Sequence, residues 1–228
     1  MTRMTGRTSG LVRYALAVCL LAFPLTACVM AFSWGHFSLF FHHPARVAAA
    51  LVFAASQTAV ILFTSGFRAG VRFSEDDLPW RLVMNVYGPV LFALLPLLDG
   101  RSVLPLPGAP TLRLASLALL AAGLVLRVGP MLELGQRFSG RVAIQQDHQL
   151  ETSGFYRFAR HPSYLGVLLT HGGFACAFPT WPALAFTPLL AWLLWRRAER
   201  EEQLLVEAFG QAYREYAART PRLFPGWR

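Results

Sequence analysis

Two short segments in the last third of the 228-residue sequence concentrate side chains that can bind or transform a ligand. The first is Arg160-His161-Pro162, followed closely by Tyr164 and Gly166. Proline disfavours helix at the residue before it and suits the first turn of a helix, so we predict that Arg160 and His161 form a loop at a helix N-terminus. Backbone N–H groups at such an end attract a carboxylate or a phosphate. Gly166 would let another backbone or a ligand approach closely.

The second segment is the charged run that begins at Arg196 and ends at Glu202. Within it, Arg197 and Glu201 are four residues apart and share one face of the predicted helix. One interpretation is a solvated ion pair that contributes little to stability. The other is a functional site, because the run directly follows an apolar segment and charges beside hydrocarbon are costly. An amphipathic helix is predicted to follow, since apolar residues recur at helical spacing at Leu205, Ala208, Phe209, Ala212 and Tyr216.

The elements that must position these segments are long apolar runs. Hydrophobic residues make up 55% of the chain and charged residues only 14%, with a mean hydropathy of +0.43. This composition excludes a disordered chain and is unlike an ordinary soluble domain. Because a bilayer requires about 20 apolar residues per helix, we predict an all-α, polytopic integral membrane protein. About six transmembrane helices would cover residues 14–34, 47–67, 82–98, 112–132, 163–179 and 183–195.

The last two of these runs are separated by a short turn, Phe178 to Pro182, which predicts a C-terminal helical hairpin. Arginine clusters precede the first run and follow the second, fourth and sixth, whereas the other connections contain only Arg46, Arg101 and Arg113. The positive-inside rule therefore predicts that both termini, the polar segment 133–162 and the tail 196–228 face the cytoplasm.

The chain has a net charge of +9, and all of its basic residues other than histidine are arginines, because it contains no lysine. These arginines flank apolar runs and form no single stripe, so we expect a lipid bilayer and no nucleic acid as partner. Cys19, Cys28 and Cys176 lie in apolar stretches without metal-ligand spacing, so we expect neither disulfides nor a metal site.

The N-terminal run contains Leu25-Thr26-Ala27-Cys28, which resembles a bacterial lipoprotein cleavage box. Together with the arginine-rich composition, this motif favours a bacterial inner membrane. We expect an uncleaved first span, because the apolar run continues to Trp34; cleavage at Cys28 is the alternative and leaves the remaining topology unchanged.

The two segments together resemble the isoprenylcysteine carboxyl methyltransferase family, to which the phospholipid N-methyltransferases are related. The resemblance extends from about Arg127 to Pro225 and includes Leu134-Gly135, His148-x-Leu150, Arg-His-Pro-Ser-Tyr-Leu-Gly at 160–166, the Arg/Glu-rich helix, and Pro-Arg-Leu-Phe-Pro-Gly at 221–226. It implies an integral membrane methyltransferase that uses S-adenosylmethionine, with an N-terminal transmembrane region over 1–110 and a catalytic region over 111–228.

The resemblance also implies roles for individual residues. His161 and Tyr164 fall on positions of the cofactor pocket, and Glu202 falls in a Glu-Glu pair that caps it. Arg197 and Glu201 fall on an Arg-x-x-x-Glu pair beside the acceptor, and we assign them the catalytic role. The remaining cofactor-binding assignments are His148, Leu150, Gly154, Tyr156, Arg160, Pro162, Gly166 and Tyr213.

The acceptor is expected to be a lipophilic or small molecule that carries a carboxylate, an amine or a thiol. Arg200 interrupts the run of four acids found in the family's carboxyl methyltransferases, and the first half of the chain has no recognisable prenyl-binding signature. Arg197 could hold an acceptor carboxylate, whereas Glu201 could take the proton of an amine or thiol. Tyr156 and Tyr213 could offer aromatic faces to a sulfonium.

Two alternatives to a methyltransferase remain open at this point. An NADPH-dependent sterol-type membrane reductase would share a related C-terminal architecture. A non-catalytic membrane protein could retain the fold, although an inactive site would not require the charged run at the membrane edge, where charges are costly.

Overall fold

The computed structural model describes residues 24–64, 72–73, 77–135, 143–144 and 150–224. Its helices are α1 (Pro24–Trp34), α2 (Phe37–Phe40), α3 (Pro44–Thr64), α4 (Asp77–Gly100), α5 (Ala109–Leu134), α6 (Pro162–Ala177), α7 (Trp181–Phe209) and α8 (Gln211–Arg219). A 3-10 turn covers Gly154–Arg157. The fold is helical as predicted, with one addition, a two-residue antiparallel ladder between β1 (Arg72–Phe73) and β2 (Ala143–Ile144).

The apolar runs of the sequence coincide with helices. The five runs from 47–67 onward fall on α3 to α7 in order, and the described part of the first run falls on α1. By length and hydropathy, one helix within the described residues is able to cross a bilayer, Ala109–Leu134. Shorter apolar helices within the same residues are Pro24–Trp34, Pro44–Val60 and Val90–Gly100.

Helices α5 and α6 pack backbone against backbone. A Cβ added at Gly166 would clash with the backbone of Leu126 and Arg127. The close approach predicted at Gly166 is therefore an approach of α5, of the kind that small residues permit between membrane helices. This packing fixes the first turn of α6 beside the last third of α5.

The hairpin of α6 and α7 brings the two chemically interesting segments together. Tyr164, in the first turn of α6, packs against Leu190, Leu194 and Ala198 of α7. Because α7 continues without interruption to Phe209, the charged run from Arg196 to Glu202 belongs to the same helix as the preceding apolar run. The Arg160-His161 loop consequently lies next to the charged turns of α7.

The amphipathic helix predicted over 205–216 is divided at Gly210. This residue has a φ of 54°, which glycine adopts readily, and it ends α7 and precedes α8. On α8, Tyr213 and Tyr216 are buried whereas Arg214 is exposed. The break turns the chain back so that residues after Thr220 return to the start of α6.

Candidate functional site

The loop before α6 is held by the C-terminal segment of the chain. The backbone N–H of Arg160 donates to the carbonyl of Pro221 at 2.9 Å, and that of His161 donates to the carbonyl of Arg222 at 3.1 Å. Pro162 is the first residue of α6 and has no N–H. The two loop N–H groups expected to attract an anion are therefore already used within the chain.

Glu202 is the centre of a buried polar cluster. It is 8% exposed. Its Oε1 lies 3.0 Å from Nε2 of His161, and Arg222 donates to both oxygens, from Nε at 3.0 Å and from a terminal nitrogen at 2.6 Å. Burial opposes the charge, but the hydrogen bonds from His161 and Arg222 outweigh it and lower the pKa of Glu202 to about 2. Glu202 is therefore a carboxylate at neutral pH.

Arg160 also contacts this cluster. Its Nε lies 3.4 Å from Oε1 of Glu202, yet the same Nε has no hydrogen-bond partner with acceptable geometry among the described residues. The contact is thus electrostatic, and the Nε–H remains able to donate to a ligand.

Tyr164 joins the two predicted catalytic residues. Its hydroxyl accepts a hydrogen bond from Nε of Arg197 at 2.7 Å and donates one to Oε2 of Glu201 at 2.5 Å. The ring of His161 stacks on the ring of Tyr164, with centroids 5.1 Å apart and an interplanar angle of 8°. Because Nδ1 of His161 lies 3.7 Å from Oε2 of Glu201, His161 connects this group to the Glu202 cluster.

An open cleft of about 670 Å³ lies between α7 and α8, within the size range of small-molecule sites. Its lining includes Arg160, Glu199, Glu202, Tyr213, Arg214 and Arg222. The hydroxyl of Tyr213 is buried and has no partner among the described residues. Burial raises the pKa of this phenol, with the charge of Glu202 contributing, so that it stays protonated. The cleft therefore offers carboxylates, a phenol and guanidinium groups at one surface.

The 3-10 turn places Tyr156 beside the site. Its carbonyl accepts a hydrogen bond from the hydroxyl of Tyr216 at 2.6 Å, and the N–H of Phe155 donates to Oε2 of Glu133 at 3.0 Å. Gly154 has a φ of 49°, and a Cβ there would clash with the carboxylate of Glu133. Burial raises the pKa of Tyr156, with the charge of Glu201 as the next cause.

Two further positions were predicted to bind the cofactor, Leu150 and His148. Leu150 is half-buried at the start of the segment 150–224, and His148 lies outside the described residues.

Three residues that contribute to the site carried no role in the sequence analysis. Arg222 lies 4.2 Å above the ring of Trp195, and Arg127 donates to the hydroxyl of Ser163 at 2.7 Å. Glu133 holds the turn that carries Tyr156. Arg222 and Arg127 belong to the stretches that carry the family resemblance, and this was the only available signal for them.

Comparison with known proteins identifies relatives of the region that contains the site. Residues 116–207 match the model of the isoprenylcysteine carboxyl methyltransferase (ICMT) family. The protein-S-isoprenylcysteine O-methyltransferase of Schizosaccharomyces pombe is 33% identical over 114 residues, which are 49% of this chain and 48% of that protein. The human protein of the same name is 32% identical over 117 residues, which are 50% of this chain and 41% of that protein. The chain thus spans about half the length of the curated relatives it matches.

A solved structure extends the similarity to the whole fold. The eukaryotic intramembrane Ras methyltransferase ICMT has a TM-score of 0.60 to this chain at 18% identity, covering 98% of this chain and 88% of that one. At this identity the likeness establishes the fold.

Proposed function

We propose that this chain is an integral membrane methyltransferase that uses S-adenosylmethionine, because residues 116–207 match the model of the isoprenylcysteine carboxyl methyltransferase family. One observation carries the proposal. A series of polar contacts, buried at its Glu202 end, runs from Arg197 through Tyr164, Glu201 and His161 to Glu202. It links a charged helix face beside an apolar run with an open cleft, as transfer between a soluble cofactor and a lipophilic acceptor requires.

The cleft suits S-adenosylmethionine in its chemistry. Glu202 is an ionised acceptor for an amino group or a counter-charge for a sulfonium. Tyr213 has an unused buried hydroxyl, and Arg160 has an unused Nε–H that can donate to a carboxylate or a ribose oxygen. We therefore assign Glu202, Tyr213 and Arg160 to the cofactor, with His161 as the residue between cofactor and acceptor.

The charges around Tyr164 favour a carboxylate as the acceptor. Arg197 donates to the Tyr164 hydroxyl, and Arg127 donates to the neighbouring Ser163, so that guanidinium groups approach the first turn of α6 from both α7 and α5. Two guanidinium groups and one carboxylate, Glu201, leave an excess of positive charge. A lipophilic carboxylate such as an S-prenylcysteine fits this balance better than an amine, in line with the names of the relatives.

The chain's own residues then act by positioning. S-adenosylmethionine supplies a methyl group on a sulfonium, which a carboxylate oxygen can accept without a base. Arg197 holds the acceptor carboxylate by a charge-assisted hydrogen bond. The Tyr164 hydroxyl orients Arg197 by accepting its hydrogen bond, and Glu201 orients Tyr164 by accepting a hydrogen bond from the same hydroxyl. If the acceptor were an amine or a thiol, Glu201 would accept its proton.

The placement in the bilayer completes the proposal. The arginine distribution favours a site at the cytoplasmic face of about six spans, with both termini on the same side and an inner membrane of a bacterium as the location. The acceptor would then reach the site from the bilayer.

The first experiment titrates S-adenosylmethionine, S-adenosylhomocysteine and NADPH separately into the full chain purified in detergent, with calorimetric detection. We expect micromolar binding of the first two and none of NADPH. Binding of NADPH alone would replace the proposal with a sterol-type reductase. Binding of none by folded protein would favour a non-catalytic protein.

A second experiment identifies the acceptor group. Transfer of labelled methyl to N-acetyl-S-farnesylcysteine should yield a product that releases labelled methanol in base, because a methyl ester hydrolyses whereas N-methyl and S-methyl bonds do not. Arg197→Gln should lose this transfer, and Arg200→Gln, which changes an exposed arginine three residues away, should retain it. N-acetyl-S-farnesylcysteine offers a carboxylate but no free amine or thiol, so failure of the wild type to methylate it would contradict the carboxylate assignment.

A further inference from the structure

A second charged cluster lies at the other end of the helices. Asp99 at the end of α4 has a side chain that is 5% exposed. It accepts hydrogen bonds from Nε1 of Trp34 at 2.9 Å and from Arg113 at 2.7 Å, and a terminal nitrogen of Arg46 lies 3.6 Å away. One carboxylate thus faces two guanidinium groups. The cluster keeps one positive charge in excess, and charge in a poorly solvated place requires a counter-ion.

The same two arginines have unused donors. Nε of Arg46 and Nε of Arg113 are both buried without a partner among the described residues. Arg46 is 8% exposed, and its guanidinium lies 3.9 Å above the ring of Trp34. Leaving a buried donor unsatisfied is costly, more so on a charged group. An anion that accepts from both arginines would remove this cost and balance the charge.

The neighbouring histidine does not supply the missing negative charge. Nδ1 of His43 accepts a hydrogen bond from the N–H of Ala45 at 3.3 Å, which fits a neutral ring. Burial lowers the pKa of His43, the charges of Arg46 and Arg113 lower it further, and Asp99 opposes them with a smaller effect. The local potential is therefore positive.

A row of ring contacts leads from the cluster to two exposed phenylalanines. The ring of Trp34 contacts Phe40, which contacts Phe41, which in turn contacts Phe37. Phe37 and Phe41 are 52% and 39% exposed. Cationic donors beside exposed apolar rings match a ligand with an anionic head and an apolar body. Arg113 precedes Arg127 by 14 residues on α5, or about 21 Å at helical rise, so this surface is separate from the candidate active site.

We propose that Arg46 and Arg113 form a binding site for a phosphate-type anion, and that the headgroup phosphate of an anionic phospholipid occupies it in the membrane. The guanidinium forks supply the donors, Asp99 fixes their orientation, and the exposed phenylalanines contact the acyl chains. The proposal does not depend on the methyltransferase function.

The test uses the full chain, delipidated in detergent, and follows its melting temperature. The added ligands are phosphatidylglycerol, phosphatidylcholine and inorganic phosphate. The variants are Arg113→Gln and, as a matched control, Arg101→Gln, which removes an exposed arginine of the loop before α5. Arg113→Gln leaves Arg46 and Asp99 as a balanced pair, so it should fold. Native mass spectrometry of each protein measures retained lipid independently of the melting temperature.

We expect phosphatidylglycerol to raise the melting temperature of the wild type and of Arg101→Gln, with at least about tenfold weaker apparent affinity in Arg113→Gln. A smaller shift with phosphatidylcholine supports the preference for net negative charge. If inorganic phosphate raises the melting temperature as much as phosphatidylglycerol does, the anion site is supported, but its ligand is the free ion and the assignment to a lipid headgroup is wrong. Equal responses of wild type and Arg113→Gln, or no response to any ligand, would overturn the proposal.

Discussion

Replacing Arg222 with alanine removes the bidentate partner of Glu202 and leaves the sequence of α7 unchanged. Glu202 would keep His161 at 3.0 Å and Arg160 at 3.4 Å. It would lose the contacts of 3.0 Å and 2.6 Å that come from Arg222. We expect the variant to fold, because two positively polarised partners remain, but to be less stable and to bind S-adenosylhomocysteine more weakly.

The size of the effect follows from the pKa of Glu202. This pKa is lowered from its ordinary 4.5 to about 2 in the folded chain. At about 1.4 kcal/mol per pH unit, the native environment favours the ionised form by roughly 3 kcal/mol. Arg222 is one of the two hydrogen-bonding causes of this shift. Its removal should therefore cost about 2 kcal/mol at neutral pH, or about 4–8 °C in melting temperature for a chain of this size.

The pH dependence separates this electrostatic effect from a loss of packing on Trp195. Because the folded pKa of Glu202 lies below the unfolded one, its contribution is fully present above pH 4.5 and is lost as the pH falls toward 2. The difference in melting temperature between wild type and Arg222→Ala should therefore narrow from pH 7 to pH 3. Arg222→Lys should lie between them, because lysine keeps the charge but not the fork. A gap that stays constant with pH, or an equal loss in the exposed control Arg219→Ala, would refute the reasoning.

Further predictions concern the residues around the first turn of α6. Tyr164→Phe keeps the stack on His161 but removes both hydroxyl hydrogen bonds, so kcat should fall about a hundredfold while the Kd for S-adenosylhomocysteine, measured by calorimetry, stays within about threefold. Glu201→Ala should abolish turnover in the labelled-methyl assay and spare cofactor binding more than His161→Ala does; equal loss of binding would contradict this division of roles. Gly166→Ala should lower the free energy of unfolding by about 1–3 kcal/mol through overpacking, and the melting temperature should fall accordingly. Gly172→Ala should leave the melting temperature unchanged, because a Cβ there meets only a side-chain atom at 3.9 Å. Similar shifts in the two variants would contradict the backbone contact at Gly166.

The helices were largely predictable because their signal is local. The charge-free run at 47–67 predicted α3, which covers Pro44–Thr64, and the run at 163–179 predicted α6, which covers Pro162–Ala177. The break at Gly210 was missed, because the apolar spacing continues from Leu205 to Tyr216 across it. A positive φ at one glycine leaves no trace in hydrophobic periodicity.

The candidate site was predictable as a set of residues and not as a set of contacts. The spacing of Arg197 and Glu201 placed them on one helix face, but their connection through Tyr164 depends on the hairpin of α6 and α7. Arg222 reaches Glu202 from 20 residues away only because the chain reverses after α7. Such contacts are decided by tertiary packing, which no local pattern encodes.

The pairing of Pro221 and Arg222 with the Arg160 loop has a consequence for biosynthesis. During translation, α6 and α7 are complete many residues before Arg222 is added. The Glu202 carboxylate lacks its bidentate partner throughout that interval, so the polar cluster becomes complete only after Arg222 has been added. A chain that ended before Arg222 would contain Arg197, Tyr164 and Glu201, but its Glu202 side chain would lack the two hydrogen bonds from Arg222 that hold it in place.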